Sequence, residues 1–401
     1  MKNRPGILFV INDFNMGGAE VFILRLGKAL QDKYNVYITD INPQKSDFVF
    51  KQSYNQNGFK FVNSKINFSQ FTNWFLWKIN AMFCLIGIRN FHKKITAIFL
   101  ELYWIKFFKT KNIQIVNSHL IASDLFVYKE LLKFRNSVPF KWVITMHSSY
   151  NPLHYNNLSL DNKKVFFNRV LALMNEANVI IGVAEENFKI FKEININKFP
   201  KKIYLGYDAE EIFVSKVNRK DRFNIIMIGR GMKEKGWEIA INAFMSIKDE
   251  HKHAHLQLVG PLTDYMLGLK EQYKDAQIHF EGYQENPVPY YQNADVSILP
   301  SLGESLPYTI IESLGYNLPV IVSKRGEMPE MIKNKGLIAG IVLNDDEKGM
   351  PSIEHLSLTL SELIQNNKLY TELKANTKTV FQQFSISHCV KQYEELFKTE
   401  K

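Results

Sequence analysis

The chain has 401 residues, 46% of them hydrophobic and 22% charged, with a formal net charge of +10. Its length fits two to three domains, and the mixed composition excludes collagen, coiled coil and wholesale disorder. No run approaches the ~18 unbroken apolar residues of a membrane span, and the two cysteines, Cys84 and Cys389, have no metal-ligand or redox spacing, which fits the cytosol.

The charge is unevenly spread. Residues 1–200 hold 26 Lys/Arg against 13 Asp/Glu, a balance of +13, whereas residues 201–401 hold 24 against 27, a balance of −3. Between Asp47 and Glu101 there are seven Lys/Arg and no acid. One half is built to meet something anionic.

Short apolar runs alternate with helical patterns from the start. Residues 7–11 are too short for a signal-peptide core and read as a first buried strand. A helix is expected over 19–33, then strands over 36–41, 113–117, 142–146 and 179–183, each of the last three leading into a helical stretch. A polar linker follows at 209–222. A second series of strands is expected at 224–228, 255–259, 278–280, 296–299 and 320–323, with helices such as 238–247 between them. Apolar strands alternating with helices predict parallel sheets buried on both faces, here as two doubly wound α/β domains. Ligands of such sheets bind beyond the carboxyl ends of the strands.

The loops at those ends carry the candidate chemistry. After the first strand, Gly17 and Gly18 open a helix, where free N–H groups and the positive dipole end suit phosphate. The pattern lacks the GxGxxG spacing of a nicotinamide site. After the strand at 224–228 come Gly229, Arg230 and Lys235, two cations suited to phosphate oxygens. After the strand at 296–299 come Glu304 and, eight positions on, Glu312. Ser305 is expected as the N-cap of the intervening helix, Pro307 lies close to its favoured first-turn position, and Asn317 lies at its end. Glu304 then sits in a loop, able to hold sugar hydroxyls or a developing positive charge, and Glu312 sits on the helix, able to hold ribose hydroxyls. His119 and His147 follow strands of the first half and are placed to meet a substrate. No HxxxH or clustered Asp pattern indicates a metal site.

Taken in order, these pieces resemble a retaining glycosyltransferase of the GT-B fold, family 4 (glycosyl transferases group 1). The likeness runs from Gly17-Gly18-Ala19-Glu20 through Gly229-Arg230 and Lys235-Gly236 to Glu304 with Glu312, and on through Leu318-Pro319 and Pro329-Glu330. The resemblance implies two Rossmann-like domains facing a central cleft: residues 1–205 for the acceptor, 206–385 for the nucleotide sugar, and a last helix within 386–401 packing back on the first domain. It implies that Arg230 and Lys235 neutralise the donor diphosphate, with Gly17 and Gly18 approaching it. Glu304 then contacts the donor sugar, Glu312 the ribose, and His147 lies beside sugar and acceptor, with His119 as an acceptor-side candidate. Backbone N–H groups near Ser305, Leu306 and Tyr308 cap the leaving phosphate. No cofactor is implied, the nucleotide sugar being a substrate, and no metal. Leu205-Gly206-Tyr207-Asp208 departs from the usual Asn-Gly-Val-Asp, Asn317 from the usual Gly, and Ala184 from a frequent Ser.

Residues 71–111 interleave aromatic residues such as Trp74, Trp77 and Trp104 with Lys78, Arg89, Lys93, Lys94 and Lys106. This suits interfacial helices on an anionic membrane or, alternatively, buried helices in an enlarged first domain. The expected partners are a nucleotide-sugar donor, with UDP favoured, a lipid-linked or cell-surface glycan, and the inner face of a bacterial membrane. The process implied is polysaccharide biosynthesis. A nucleic-acid partner is not expected, since no reading helix or RNA motif accompanies the basic half. Two other readings are a sugar-nucleotide epimerase and a non-catalytic, glycosyltransferase-like binding protein. A phosphorylase would normally bring a longer chain.

Overall fold

A computed structural model describes residues 4–14, 17–46, 58–64, 91–150, 159–192, 200–208 and 222–398. The aromatic and basic run at 71–90 and linker residues 209–221 lie outside these. The chain forms two units: Met1–Val183, Asn187–Ile203 and Val390–Lys401 make the first, and Ala184–Glu186 with Tyr204–Cys389 make the second.

In the first unit β1 (Gly6–Ile11) is followed by α1 (Gly18–Leu30), β2 (Asn35–Asp40) and β3 (Lys60–Phe61). Then come α2 (Phe91–Lys111), β4 (Ile113–His119), α3 (Ile121–Phe126), β5 (Lys141–Met146), α4 (Leu160–Glu176), β6 (Val179–Gly182) and β7 (Lys201–Lys202). The strands form one seven-stranded sheet in the order β3-β2-β1-β4-β5-β6-β7, and its pairings are parallel. All six residues of β1 are buried, as a strand covered on both faces requires. α1 buries Phe22, Ile23, Leu24, Leu26 and Leu30. It stops three residues before the expected end, because Gln31 caps it and a turn follows.

The second unit repeats the design. It holds β8 (Phe223–Ile228), α5 (Trp237–Met245), β9 (Ala254–Val259), α6 (Asp264–Gln272), β10 (Ile278–Gly282), α7 (Val288–Asn293) and β11 (Val296–Leu299). Next are α8 (Tyr308–Gly315), β12 (Val320–Val322), α9 (Met328–Met331), a small hairpin of β13 (Lys333–Asn334) and β14 (Leu337–Ile338), and β15 (Gly340–Val342). α10 (Ile353–Gln365), α11 (Asn367–Phe381) and α12 (Ile386–Lys398) complete the chain. Its main sheet has the order β10-β9-β8-β11-β12-β15. Both sheets therefore reverse direction beside their first strand, between β1 and β4 and between β8 and β11. Such a switch point leaves a crevice at the carboxyl ends of the strands.

The terminal part of α12 is anchored within the first unit. Tyr393 is fully buried with its ring 6.1 Å from that of Phe22, and Lys33 pairs with Glu394 at 2.8 Å. The described side chains of α2 divide between two environments. Trp104 and Phe108 are buried in the core, whereas Ile98, Phe99 and Leu102 remain half exposed. No helix among the described residues is long and apolar enough to cross a membrane.

Candidate active site

In the first unit the loop after β1 is tied by short polar contacts. Asn42 donates to Asn12 at 2.7 Å, and Asn12 donates to Asp13 at 2.6 Å. Gly17 is the extended N-cap of α1, whose first residue is Gly18, and having no side chain it makes no capping hydrogen bond of its own. The Glu20 carboxyl folds over this end, so closely that a Cβ on Gly17 would lie 2.4 Å from its Oε2. Burial raises Glu20 to about 7, against the lowering effect of its own backbone N–H, and Asp13 raises it further. The helix end expected to face phosphate thus meets this carboxyl.

His119 was expected just past a strand. It is instead the last residue of β4, paired in register with Thr145 of β5, and it is fully buried. Its ring therefore meets other protein groups. His147 follows β5 directly, and its Nε2 lies 2.9 Å from Nδ1 of His119. The Phe22 ring stands 6.0 Å from both imidazoles. Burial lowers both, His147 to about 4 and His119 well below its ordinary value, with His147 adding to the effect on His119. Both are neutral near pH 7. Asn117 and Thr145, not anticipated from the sequence, join the pair: Asn117 Oδ1 is 3.1 Å from His119 Nε2, and Asn117 Nδ2 donates to Thr145 at 3.0 Å. Polar residues inside an otherwise apolar strand were the available signal.

In the second unit Lys235 ends a short turn after β8 and is buried, whereas Arg230 is exposed. The Lys235 ammonium donates to Glu304 Oε1 at 2.5 Å, and the Ser301 hydroxyl donates to the same oxygen at 3.2 Å. Ser301 was also not anticipated. Two glycines let the backbone come this close. Gly236 has φ +81, and a Cβ there would lie 2.1 Å from the Pro300 carbonyl; Gly326 has φ +51, and a Cβ there would lie 1.9 Å from the Glu304 carbonyl. Any side chain would push the Glu304 loop away.

Ser305 does not cap α8. Pro307 occupies the N-cap with extended backbone (φ −75, ψ 126), so the helix begins at Tyr308, and the Ser305 hydroxyl is buried without a hydrogen-bond partner among the described residues. Leu306 is buried beside it. The Tyr308 hydroxyl donates to the Gly206 carbonyl at 3.2 Å, which explains a departure from the family pattern: the Tyr207 ring packs 6.2 Å from Tyr308 and 6.4 Å from Phe381. On α8 the carboxylate of Glu312 accepts from the hydroxyl of fully buried Tyr291 at 2.8 Å, and Tyr291 stacks on Tyr316 at 5.1 Å. Asn317 takes φ +57 past the end of α8, the left-handed conformation for which glycine is usual.

In the second unit a buried lysine lies on a loop carboxylate, and in the first unit two neutral histidines lie at the strand ends. The fold is GT-B. Alr3699/HepE from Anabaena, solved in complex with UDP, matches with a TM-score of 0.75 at 15% identity, over 98% of this chain and 100% of that one. Residues 208–380 match the model of glycosyl transferases group 1. The chain is a glycosyltransferase. It is 24% identical over 305 residues to the capsular polysaccharide biosynthesis glycosyltransferase CapH of Staphylococcus aureus, covering 72% of this chain and 83% of that protein. It is 25% identical over 223 residues to the N,N'-diacetylbacillosaminyl-diphospho-undecaprenol alpha-1,3-N-acetylgalactosaminyltransferase of Campylobacter jejuni, covering 54% of this chain and 56% of that protein.

Proposed function

We propose that the chain is a retaining glycosyltransferase that moves a sugar from a UDP-sugar to a hydroxyl of a lipid-linked or cell-surface glycan in bacterial polysaccharide biosynthesis. The observation that carries the reading is the Lys235–Glu304 pair at 2.5 Å beside the switch point of the second sheet. A buried ammonium balanced by one carboxylate can turn to a phosphate, and the released carboxylate can then accept from sugar hydroxyls. Arg230, exposed at the neighbouring loop, adds a planar fork for the diphosphate. Glu312, held by Tyr291, receives the ribose hydroxyls.

Transfer then runs on one face of the sugar. The bond from C1 to the phosphate oxygen breaks as the acceptor oxygen bonds C1, and the acceptor proton passes to the departing phosphate. Lys235, Arg230 and the first turn of α8 stabilise the charge that grows on that phosphate. The reading includes transfer without a resident metal, which survives chelation with EDTA. The UDP complex of Alr3699/HepE supports the donor, and the undecaprenol-linked substrate in the name of the Campylobacter relative supports a lipid-linked acceptor.

On α2 the exposed residues Ile98, Leu102, Lys106 and Lys109 recur at helical spacing. An apolar stripe continued by lysines favours peripheral docking on the anionic inner leaflet of the plasma membrane. Flotation with anionic vesicles tests it: Ile98→Ser with Leu102→Ser weakens binding at low salt, and no binding by the wild type removes the membrane from the reading.

A panel of nucleotide sugars tests the chemistry, scored by nucleotide release with and without a polyprenyl-linked glycan. The expected result is slow hydrolysis of one UDP-sugar and faster release with acceptor, the product keeping the donor's anomeric configuration. An inverted product overturns retention. Interconversion of the sugar nucleotide without transfer would point to an epimerase.

A further inference from the structure

Asn117, His119, Thr145 and His147 lie on or beside the neighbouring strands β4 and β5 and form one hydrogen-bonded line. The line has a direction. Asn117 Nδ2 donates to the Val143 carbonyl at 3.0 Å. A peptide carbonyl only accepts, so the amide nitrogen must face it and Oδ1 must face away. Oδ1 is 3.1 Å from His119 Nε2, and an amide oxygen also only accepts, so Nε2 carries the proton. His119 is fully buried and neutral. A neutral imidazole has one N–H, which leaves its Nδ1 bare. His147 Nε2, 2.9 Å from that bare atom, must donate to it. His147 is neutral as well, so its own Nδ1 is bare, and Nδ1 has no hydrogen bond among the described residues. At the other end Thr145 Oγ1 lies 3.2 Å from the Tyr393 hydroxyl of α12.

We propose that His119, oriented by Asn117, is a positioning residue that locks His147 in the tautomer whose one free ring atom is an acceptor, so that His147 receives a substrate hydroxyl and rejects phosphate oxygens. The inference rests on the glycosyl-transfer reading for its substrate but not for its tautomer. A sugar hydroxyl can donate to a bare nitrogen. A diphosphate oxygen has no proton to give at neutral pH, so the two ends of a nucleotide sugar are told apart at this atom.

Nitrogen-detected NMR of the full chain labelled at histidine reads the protonation of each ring atom. The expected wild-type state is a proton on Nε2 and none on Nδ1 of His147. His119→Phe fills a similar volume among Phe9 and Phe22 but removes the acceptor. It is expected to mix the two tautomers of His147 and lower kcat about 10-fold, with the donor KM changed less than about 2-fold. His119→Asn keeps an acceptor near the former Nδ1 and restores both the tautomer and most of kcat. A wild-type proton on Nδ1 of His147 overturns the proposal, whatever the folding of the variants. An unchanged tautomer in a folded His119→Phe variant overturns the role of His119. The spectrum needs no substrate, so a donor panel that fails while the tautomer stands would sink the transfer reading alone.

Discussion

In the first unit the groups beside the switch between β1 and β4 are neutral: His119, His147 and Asn117, held in a directed line. In the second unit the groups beside the switch between β8 and β11 are charged: Lys235 on Glu304, with Arg230 exposed nearby. The two sheets share one strand order. What differs is the chemistry at the strand ends. Neutral acceptors and donors suit hydroxyls, and paired charges suit phosphate.

The contrast can be broken most sharply at the charged end. Glu304→Gln and Lys235→Ala are each expected to lower turnover about 10³-fold, or about 4 kcal/mol of transition-state stabilisation. Initial rates of nucleotide release measure this, with circular dichroism to confirm the fold. Near-normal rates in both would remove the charged pair from the chemistry. Gly326→Ala tests the loop rather than the charges. Its Cβ would meet the Glu304 carbonyl at 1.9 Å from a backbone of φ +51, so a loss of about 3 kcal/mol is expected in urea unfolding.

The neutral end makes its own prediction in pH. His147 titrates at about 4 in the folded chain against an ordinary 6.5. Its depressed value contributes stability that is present above pH 6.5 and is lost as pH falls toward 4, on the order of 3 kcal/mol. Burial of Glu20 and Asp124, both raised to about 7, acts oppositely, with stability lost as pH rises through 7. Taking the difference between wild type and His147→Asn cancels those two titrations. A difference that stays flat between pH 6.5 and 4 would mean that the imidazole is charged in the folded state. The smallest effect is expected at Tyr291→Phe, which keeps the stack on Tyr316 and loses one hydrogen bond to Glu312. The donor KM rises about 5-fold, near 1 kcal/mol, with kcat unchanged.

Much of this was legible along the chain. Apolar runs such as Phe9-Val10 and Ile225-Ile226 marked strands buried on both faces, and the loop positions of Arg230, Lys235 and Glu304 followed from those strands. Some local expectations failed for identifiable reasons. β4 extends to His119 because it has strand neighbours on both sides, with Val10 beside Ser118 and Thr145 beside His119. Ser305 lost the cap because Pro307 holds an extended backbone and delays α8 to Tyr308. α2 divides into a buried face with Trp104 and an exposed one with Leu102, which an apolar pattern alone does not separate.

By itself the amino-acid sequence determined the α/β class, the tandem arrangement, the uneven charge and the residue types at the strand ends. Periodicity and composition are local properties that survive without coordinates. Only the tertiary structure decided the partners. Lys235 and Glu304 are 69 positions apart, and His119 and His147 are 28 apart. Each pair meets because parallel crossovers return the chain to one end of a sheet. The same packing that joins them excludes water, and that exclusion makes one pair neutral and leaves the other dependent on its mutual charge.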